Sequence, residues 1–512
     1  MISAADLRAR LAGHGELALL DAREQGVHYR GHPFYACSAP LSRLEMVIAD
    51  LVPRRSAPVV VFDAGEGLAQ PAAQRLGALG YTAVEILDGG CDAWRAAGGE
   101  LFSGINVPSK AFGEFVEHQY ETPRVSADEL DRLRASGQKM VILDSRPFEE
   151  YQRMCIPGGI DAPGAELAYR VHDVAPDADT LVVVNCAGRT RSIIGCQALR
   201  NAGIANRVVA LKDGTMGWEL AGREVERDAS RFAPDPSSTG VAKAQAAAER
   251  VAQRFGVKFT DAGKIQQWLR DEKRTTYLLD VRTREEFEAG HIAGSRHAAG
   301  GQLVQATDEY VGVRHARLVV IDPQRVRAVM TASWLNQMGW HDVYVLPSFA
   351  GFAIDTGPRK PAFSFKPWAI TTQAGGSKVL DFSTSLRFHH RHIPGAWWVV
   401  RSRLKEAREK IGDDARVLLL TSEDGVLAHL AAAEVGALWP KAQVRVLDGG
   451  NAAWKGSWES GIERATTARD DVWYKPYDHE AGFEQHAREY LEWEVALIEQ
   501  IKRDPTIRFQ KY

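Results

Sequence analysis

The sequence predicts an α/β protein of four tandem small domains, each a mainly parallel sheet covered by helices. Three observations predict it. Three short landmarks recur four times in one order and at one spacing. Each landmark carries an uninterrupted apolar or β-branched run, the pattern of parallel strands buried on both faces. Between them lie helical patterns, such as 71–79, 192–202 and 427–436.

The first landmark is an apolar run ending at Asp21, Asp144, Asp280 and Asp381, with spacings of 123, 136 and 101 residues. The second is a β-branched run ending in a turn at Asp63, Cys186, Asp322 and Ser422, spaced 123, 136 and 100. The third is an apolar pair before a turn and an aromatic, at Leu87, Leu211, Leu346 and Leu447, spaced 124, 135 and 101. Generic similarity between buried strands explains the runs but not the shared offsets, so the chain is read as a fourfold repeat. The units span 1–102, 123–227, 257–358 and 370–465. A linker covers 103–122, a second linker with an Ala-rich helix covers 228–256, and a tail covers 466–512. Tyr490, Leu491, Val495, Leu497, Ile498 and Ile501 would form one apolar face of a tail helix that docks on the body or meets a partner.

Composition narrows the function. The 512 residues are 45% hydrophobic and 25% charged, too apolar for a disordered chain. The net charge of -3 gives no basic footprint for nucleic acid or an anionic membrane. No apolar run reaches spanning length. The N-terminus reads straight into a domain, without a charged segment leading into an apolar one. Five cysteines without a CxxC pair argue against a disulfide framework and a zinc site, and point to a reducing cytoplasm. No metal or cofactor is implied. His389, His390 and His392 lack a cysteine or carboxylate cluster to complete a site. Gly89-Gly90 and Gly449-Gly450 are turn signals rather than a nucleotide fingerprint.

The chemistry concentrates in the second unit. A buried strand, Leu181 to Asn185, runs into Cys186-Ala187-Gly188-Arg189-Thr190-Arg191-Ser192, and a helix is expected from about Ser192. Ligands of parallel sheets bind where a strand turns into a helix. Backbone amides of the loop and the helix N-terminus can face the sulfur, and Arg189 and Arg191 add positive charge. Each effect favours thiolate over thiol, as in an activated cysteine. The same nest would hold an anionic substrate group. Arg146 either reaches this pocket or pairs with Asp144. Cys155 is either a resolving thiol for Cys186 or a small packing residue. Cys196 reads as core, Cys91 and Cys37 as bystanders, and Trp94, Trp218 and Trp454 as packing.

Asp144-Ser145-Arg146, Ile156-Pro157-Gly158, the Cys186 loop, and Asp213-Gly214 leading to Trp218 together resemble the rhodanese family of sulfurtransferases. Units one, three and four carry matching pieces: Asp21-Ala22-Arg23, Asp280-Val281-Arg282 with Gly290-His291-Ile292, and His392-Ile393-Pro394-Gly395. The resemblance implies a thiosulfate sulfurtransferase in which Cys186 takes a sulfane sulfur from a donor as a persulfide. A thiophilic acceptor, cyanide or a thiol, then removes it. It also implies that amides of Ala187 to Ser192 cradle the terminal sulfur and that Arg191 binds the anionic donor. Partners are then small molecules, and the oligomeric state stays open. Six residues from Cys186 to Arg191 match the sulfurtransferases. The related cell-cycle dual-specificity phosphatases use seven, and a cysteine-dependent phosphatase or arsenate-type enzyme is the weaker alternative. Family loops often place glycine where Arg189 stands, which leaves the direction of Arg189 open. Asp63, Asp322 and Ser422 replace the nucleophile elsewhere, so units one, three and four are expected to be silent. A non-catalytic scaffold or sulfur-sensing module is the third reading. Unit one against unit two is the expected pair.

Overall fold

The computed structural model describes residues 1–372 and 375–512; Gln373 and Ala374, inside the fourth unit, lie outside the described residues. The landmarks are the central strands. Leu17–Asp21, Met140–Asp144, Thr276–Asp280 and Lys378–Asp381 each end on the landmark aspartate. Val59–Phe62, Leu181–Asn185, Arg317–Ile321 and Val417–Thr421 each stop one residue before the loop position. In unit two the order across the sheet is Arg124–Val125, Val208–Leu211, Leu181–Asn185, Met140–Asp144 and Ile160–Asp161, all parallel. The strand leading to Cys186 is therefore central, and all five of its residues are buried.

Three local devices repeat because each solves the same packing problem. The Asp-x-Arg motif closes on itself: Arg23, Arg146 and Arg282 donate to Asp21, Asp144 and Asp280, then to a carbonyl eight residues on. A buried guanidinium keeps its charge at low cost only when its donors are taken up in this way. An aromatic residue four before the histidine position stacks on it, as in His28 with His32, Phe287 with His291 and Phe388 with His392. In unit two Tyr151 and Cys155 take these places. Finally, Gly90, Gly214 and Gly450 lie in the left-handed region, and a Cβ there would stand 2.3–2.4 Å from the carbonyl oxygen of Asp63, Cys186 or Ser422. Only glycine lets the closing turn press onto the loop.

Helices fall close to their expected places: Ala69–Ala78, Thr190–Ala202 and Val426–Leu438. The helix after Cys186 begins two residues before the expected Ser192. The stretch read as the first linker is a 14-residue helix, Val107–Tyr120, with eight buried residues. Gly113 brings it onto the loop: a Cβ there would stand 2.9 Å from Thr190 Cγ2. The Ala-rich helix of the second linker, Ser238–Arg254, packs between Glu166–Val174 of unit two and Val326–Gln337 of unit three.

The expected pairing of units one and two is not the one found. Unit two meets unit three through Arg327, which bonds Glu166, Asp322 and Glu286, and through backbone contact of Gly164 with Gly301. Unit one meets unit four through Arg401 between Glu45 and Glu434. It also joins unit three by an antiparallel ladder, Leu17 with Arg314 and Ala18 with Val313. Buried small residues and scattered arginines decide these contacts, and neither carries a periodic signal.

The tail docks with Tyr490, Leu497 and Ile501 of the expected face toward the body and Val495 turned away. Helix Phe483–Ile501 buries Ala487, Glu494 and Leu497, while Val495 is 44% exposed. Ala487, Tyr490, Glu494, Leu497 and Ile501 form one stripe at helical spacing, and Val495 stands a hundred degrees beyond Glu494. A buried glutamate inside the stripe hid it from an apolar count.

Asp161 gives the fold a pH dependence. It is fully buried, neither carboxylate oxygen has a hydrogen-bond partner, and burial, reinforced by Asp144, raises its pKa to about 9 from the ordinary 3.8. Its folded value lies above its unfolded value, so stability falls as pH rises from about 4 through about 9. Asp161→Asn should remove that slope and exceed the wild type by about 2 kcal/mol or more near pH 8, with little difference near pH 4. Urea melts at the two pH values check this; parallel pH profiles would count against it.

Candidate active site

Cys186 follows the central strand and is 2% exposed. Its surroundings are nonetheless polar. Arg146, Arg191, Tyr477 and Tyr490 lie within electrostatic reach of its sulfur and line one cavity of about 280 Å³. Ala187 and Met216 complete the wall beside the loop. The closing turn ties the loop down from behind: Thr215 donates to the Cys186 carbonyl at 2.8 Å and Met216 to that of Ala187 at 2.9 Å. With those carbonyls turned back, the amides of Ala187, Gly188 and Arg189 are left without an acceptor among the described residues.

Units one and three show what this nest is for. Asp63 sits where Cys186 does, and its carboxylate accepts from the amides of Gly65, Leu68 and Ala69 at 2.6–2.9 Å. Asp322 accepts from the amides of Gln324 at 3.0 Å and Arg327 at 2.9 Å. Two loop positions donate in both units, the second and the fifth after the aspartate. In unit two these are Gly188 and Arg191. The degenerate loops thus carry their own anion, while the Cys186 loop has no carboxylate to fill it. Asp63 and Asp322 therefore fill their own nests with a carboxylate.

The predicted site residues divide. Arg191 turns to the cavity, held by Glu150 at 2.8 Å and near Gln302 of unit three at 3.5 Å. Arg146 does both things considered for it, since it pairs with Asp144 and borders the cavity. Arg189 turns away. Its guanidinium meets Glu114 at 2.7 and 2.8 Å, Glu117 at 2.5 Å and Asp213 at 3.0 Å. The reason is local: Arg189 precedes the helix and has φ -118°, and Val107–Tyr120 offers two carboxylates on its near face. The Thr190 hydroxyl donates to Glu494 at 3.0 Å and the Ser192 hydroxyl to the Arg189 carbonyl at 2.8 Å, so neither side chain faces the cavity. Gly188 packs against Tyr490 and Glu494.

Sequence reasoning missed the far wall. Trp473, Lys475, Tyr477 and Tyr490 come from the tail, Lys110 from the linker helix, and Glu150 from the helix after Arg146. Local motifs give no sign of residues nearly three hundred positions away. Burial opposes ionisation of Glu150, but Arg191, Lys475 and Arg146 outweigh it and hold the carboxyl well below its usual range. Burial likewise opposes charge on Arg146 and Arg191, and the acids beside them outweigh it. Arg146, Arg191 and Lys475 therefore bring fixed positive charge to the cavity, each beside a carboxylate. Tyr477 and Tyr490 are pushed up chiefly by burial, so both hydroxyls keep their protons.

A model of the rhodanese-like domain matches residues 3–97, 126–221, 261–349 and 368–457. The chain belongs to the rhodanese-like family. A crystal structure of a thiosulfate sulfurtransferase from Pseudomonas aeruginosa is 48% identical, covers 99% of either chain and superposes with a TM-score of 0.95. An HTH-type transcriptional regulator of Mycobacterium tuberculosis is 40% identical over 106 residues, which is 20% of this chain and 45% of the regulator. The chain thus spans under half the length of that relative.

Within this rhodanese-like frame the other candidates resolve. Cys155 fills the histidine position beside Tyr151, fully buried, with its thiol raised to about 11 by burial. That is the packing role rather than the resolving one. All five cysteines are free. Among the described residues no cluster of His, Cys, Asp or Glu could hold a metal ion.

The two loop arginines should part in their effects on stability. Arg189→Met leaves Glu114 and Asp213 without a cation and Glu117 with Arg124 alone, and should cost about 3 kcal/mol in unfolding free energy. Arg191→Met leaves Glu150 partly solvated beside Lys475 and should cost less than half of that. Denaturant melts of both variants test the assignment, which fails if Arg189→Met unfolds like the wild type.

Proposed function

We propose that this protein is a sulfurtransferase that moves a sulfane sulfur from an anionic donor such as thiosulfate to a thiophilic acceptor through a persulfide on Cys186. One observation carries the reading. The nest that units one and three fill with a carboxylate is open in the unit that bears a cysteine, and cations ring it. The near-full-length similarity to a thiosulfate sulfurtransferase supports the same class.

The Cys186 thiolate attacks the outer sulfur of thiosulfate. A new S–S bond forms to Cys186, the old one breaks, and sulfite leaves with the bonding pair. The terminal sulfur then carries the negative charge, and amides at Gly188 and Arg191 stand where their counterparts hold Asp63 and Asp322. Arg191 and Arg146 offset the donor's charge. Cyanide or a thiolate attacks the terminal sulfur and returns Cys186 to thiolate. Electrons balance without a redox partner or a metal. Units one, three and four have no sulfur at the loop position and act as walls and anchors.

The phosphatase alternative fares worse. The seventh loop position is Ser192, whose hydroxyl is spent on the Arg189 carbonyl.

Incubation with thiosulfate should add about 32 Da to the intact protein, and Cys186→Ala should abolish both the adduct and turnover, while Cys155→Ala keeps them. Arg191→Met should lower kcat/KM for thiosulfate by roughly 10- to 100-fold, the worth of a charge-assisted contact. Arg189→Met, measured below its melting temperature, should leave KM within about twofold of the wild type. Turnover by Cys186→Ala at the wild-type rate would sink the proposal.

A further inference from the structure

A second cavity, of about 100 Å³, lies between units one and three and is closed by the last residues of the tail. It is remote in sequence from the Cys186 loop and shares no lining residue with that site. Phe34, Val311, Met338, Trp340 and Phe509 give it a mainly apolar wall. An engineered apolar cavity of about 150 Å³ holds a benzene, so this one suits a body no larger than one ring.

Its charged groups are unbalanced, with Arg314 and Arg508 against Asp308. Arg314 ends the strand that joins the sheets of units one and three. Its guanidinium lies on the Tyr35 ring, 3.2 Å from the centroid. Arg314 has no carboxylate partner among the described residues, and its Nε is buried without a hydrogen bond. Arg314 is half-buried and keeps a buried Nε without a partner, whereas the chain's fully buried arginines are paired with carboxylates. His315 beside it holds a left-handed backbone, φ 59°, and its Nε2 is also buried without a partner. His14 and His341 flank His315 at ring distances of 5.8 and 6.4 Å. Asp308 is the one acidic lining residue. Burial, with Glu309 next to it, raises its pKa to about 7, and Asn106 donates to it at 3.2 Å. At or below neutral pH it tolerates a singly charged anion better than a dianion.

We propose that this cavity is a binding site for a small carboxylate with a single apolar body, its carboxylate on Arg314 and its body against Trp340 and Phe509. A planar guanidinium matches a carboxylate, and the apolar wall disfavours inorganic phosphate or sulfate. The tail residues Thr506, Arg508 and Phe509 line the cavity, and the Tyr35 hydroxyl donates to the Thr506 carbonyl at 3.0 Å. A bound carboxylate therefore holds down the end of the same tail whose earlier residues wall the Cys186 cavity.

Isothermal titration of the full chain with butyrate, and with 1-butanol as its neutral counterpart, tests this. Butyrate should bind with a Kd on the order of 1 mM or tighter, and 1-butanol at least about tenfold more weakly. Arg314→Gln should weaken butyrate at least about tenfold while leaving thiosulfate turnover unchanged, since Arg314 lies outside the Cys186 site. If Arg314→Gln does not fold, the wild-type comparison of the two compounds, with density for butyrate beside Arg314 in soaked crystals, decides the matter. The site is refuted by absent binding on the order of 10 mM, by equal binding of 1-butanol, or by butyrate that thiosulfate displaces.

Discussion

Backbone amides gathered at the end of a buried parallel strand need an acceptor, and the loops differ in where that acceptor comes from. In units one and three the loop's first residue supplies it as a carboxylate. In unit two the first residue is Cys186, and no carboxylate among the described residues fills the nest. The glycine turn behind the loop and the self-contained Asp-x-Arg pair recur in units with and without the cysteine. These devices therefore belong to the scaffold, and the loops differ in the residue that meets the amides.

The silent units still matter to the site. Gln302 of unit three stands by Arg191. Units one and four anchor the start of the tail: Gly26 is so close that a Cβ would stand 2.7 Å from the carbonyls of Asp470 and Val472, and Ser385 bonds Asp471. From that anchor the chain passes over Cys186 as Trp473, Lys475 and Tyr477, then returns in the helix that sets Tyr490 and Glu494 against the loop. Glu494 is fully buried and accepts from Lys110, Thr190 and Tyr490 at 3.0 Å each. One carboxylate thereby couples the linker helix, the nucleophile loop and the tail.

Most of each unit was legible in the residues because it depends on short-range rules. A strand buried on both faces must be apolar throughout, so the runs ending at Asp21, Asp144, Asp280 and Asp381 announced their sheets. A turn pressed on a carbonyl must be glycine, so Gly90, Gly214 and Gly450 announced theirs. The position of Cys186 between strand and helix followed from the same grammar. Arg189 did not follow, because its direction was settled by Glu114 and Glu117, carboxylates on a segment that looked like a connector. Nor did the burial of Glu494 at the centre of the tail's docking face, because a charged residue does not count toward an apolar stripe.

Chain order and residue type alone established four α/β units and one cysteine-bearing loop, since each rests on contacts within a few residues or a strict repeat. Packing in three dimensions settled which arginine faces the sulfur, which units adjoin, and that a distant tail walls the cavity. Those outcomes depend on ion pairs and close backbone approaches between segments hundreds of residues apart. Nothing in a local pattern encodes the partner of a charge.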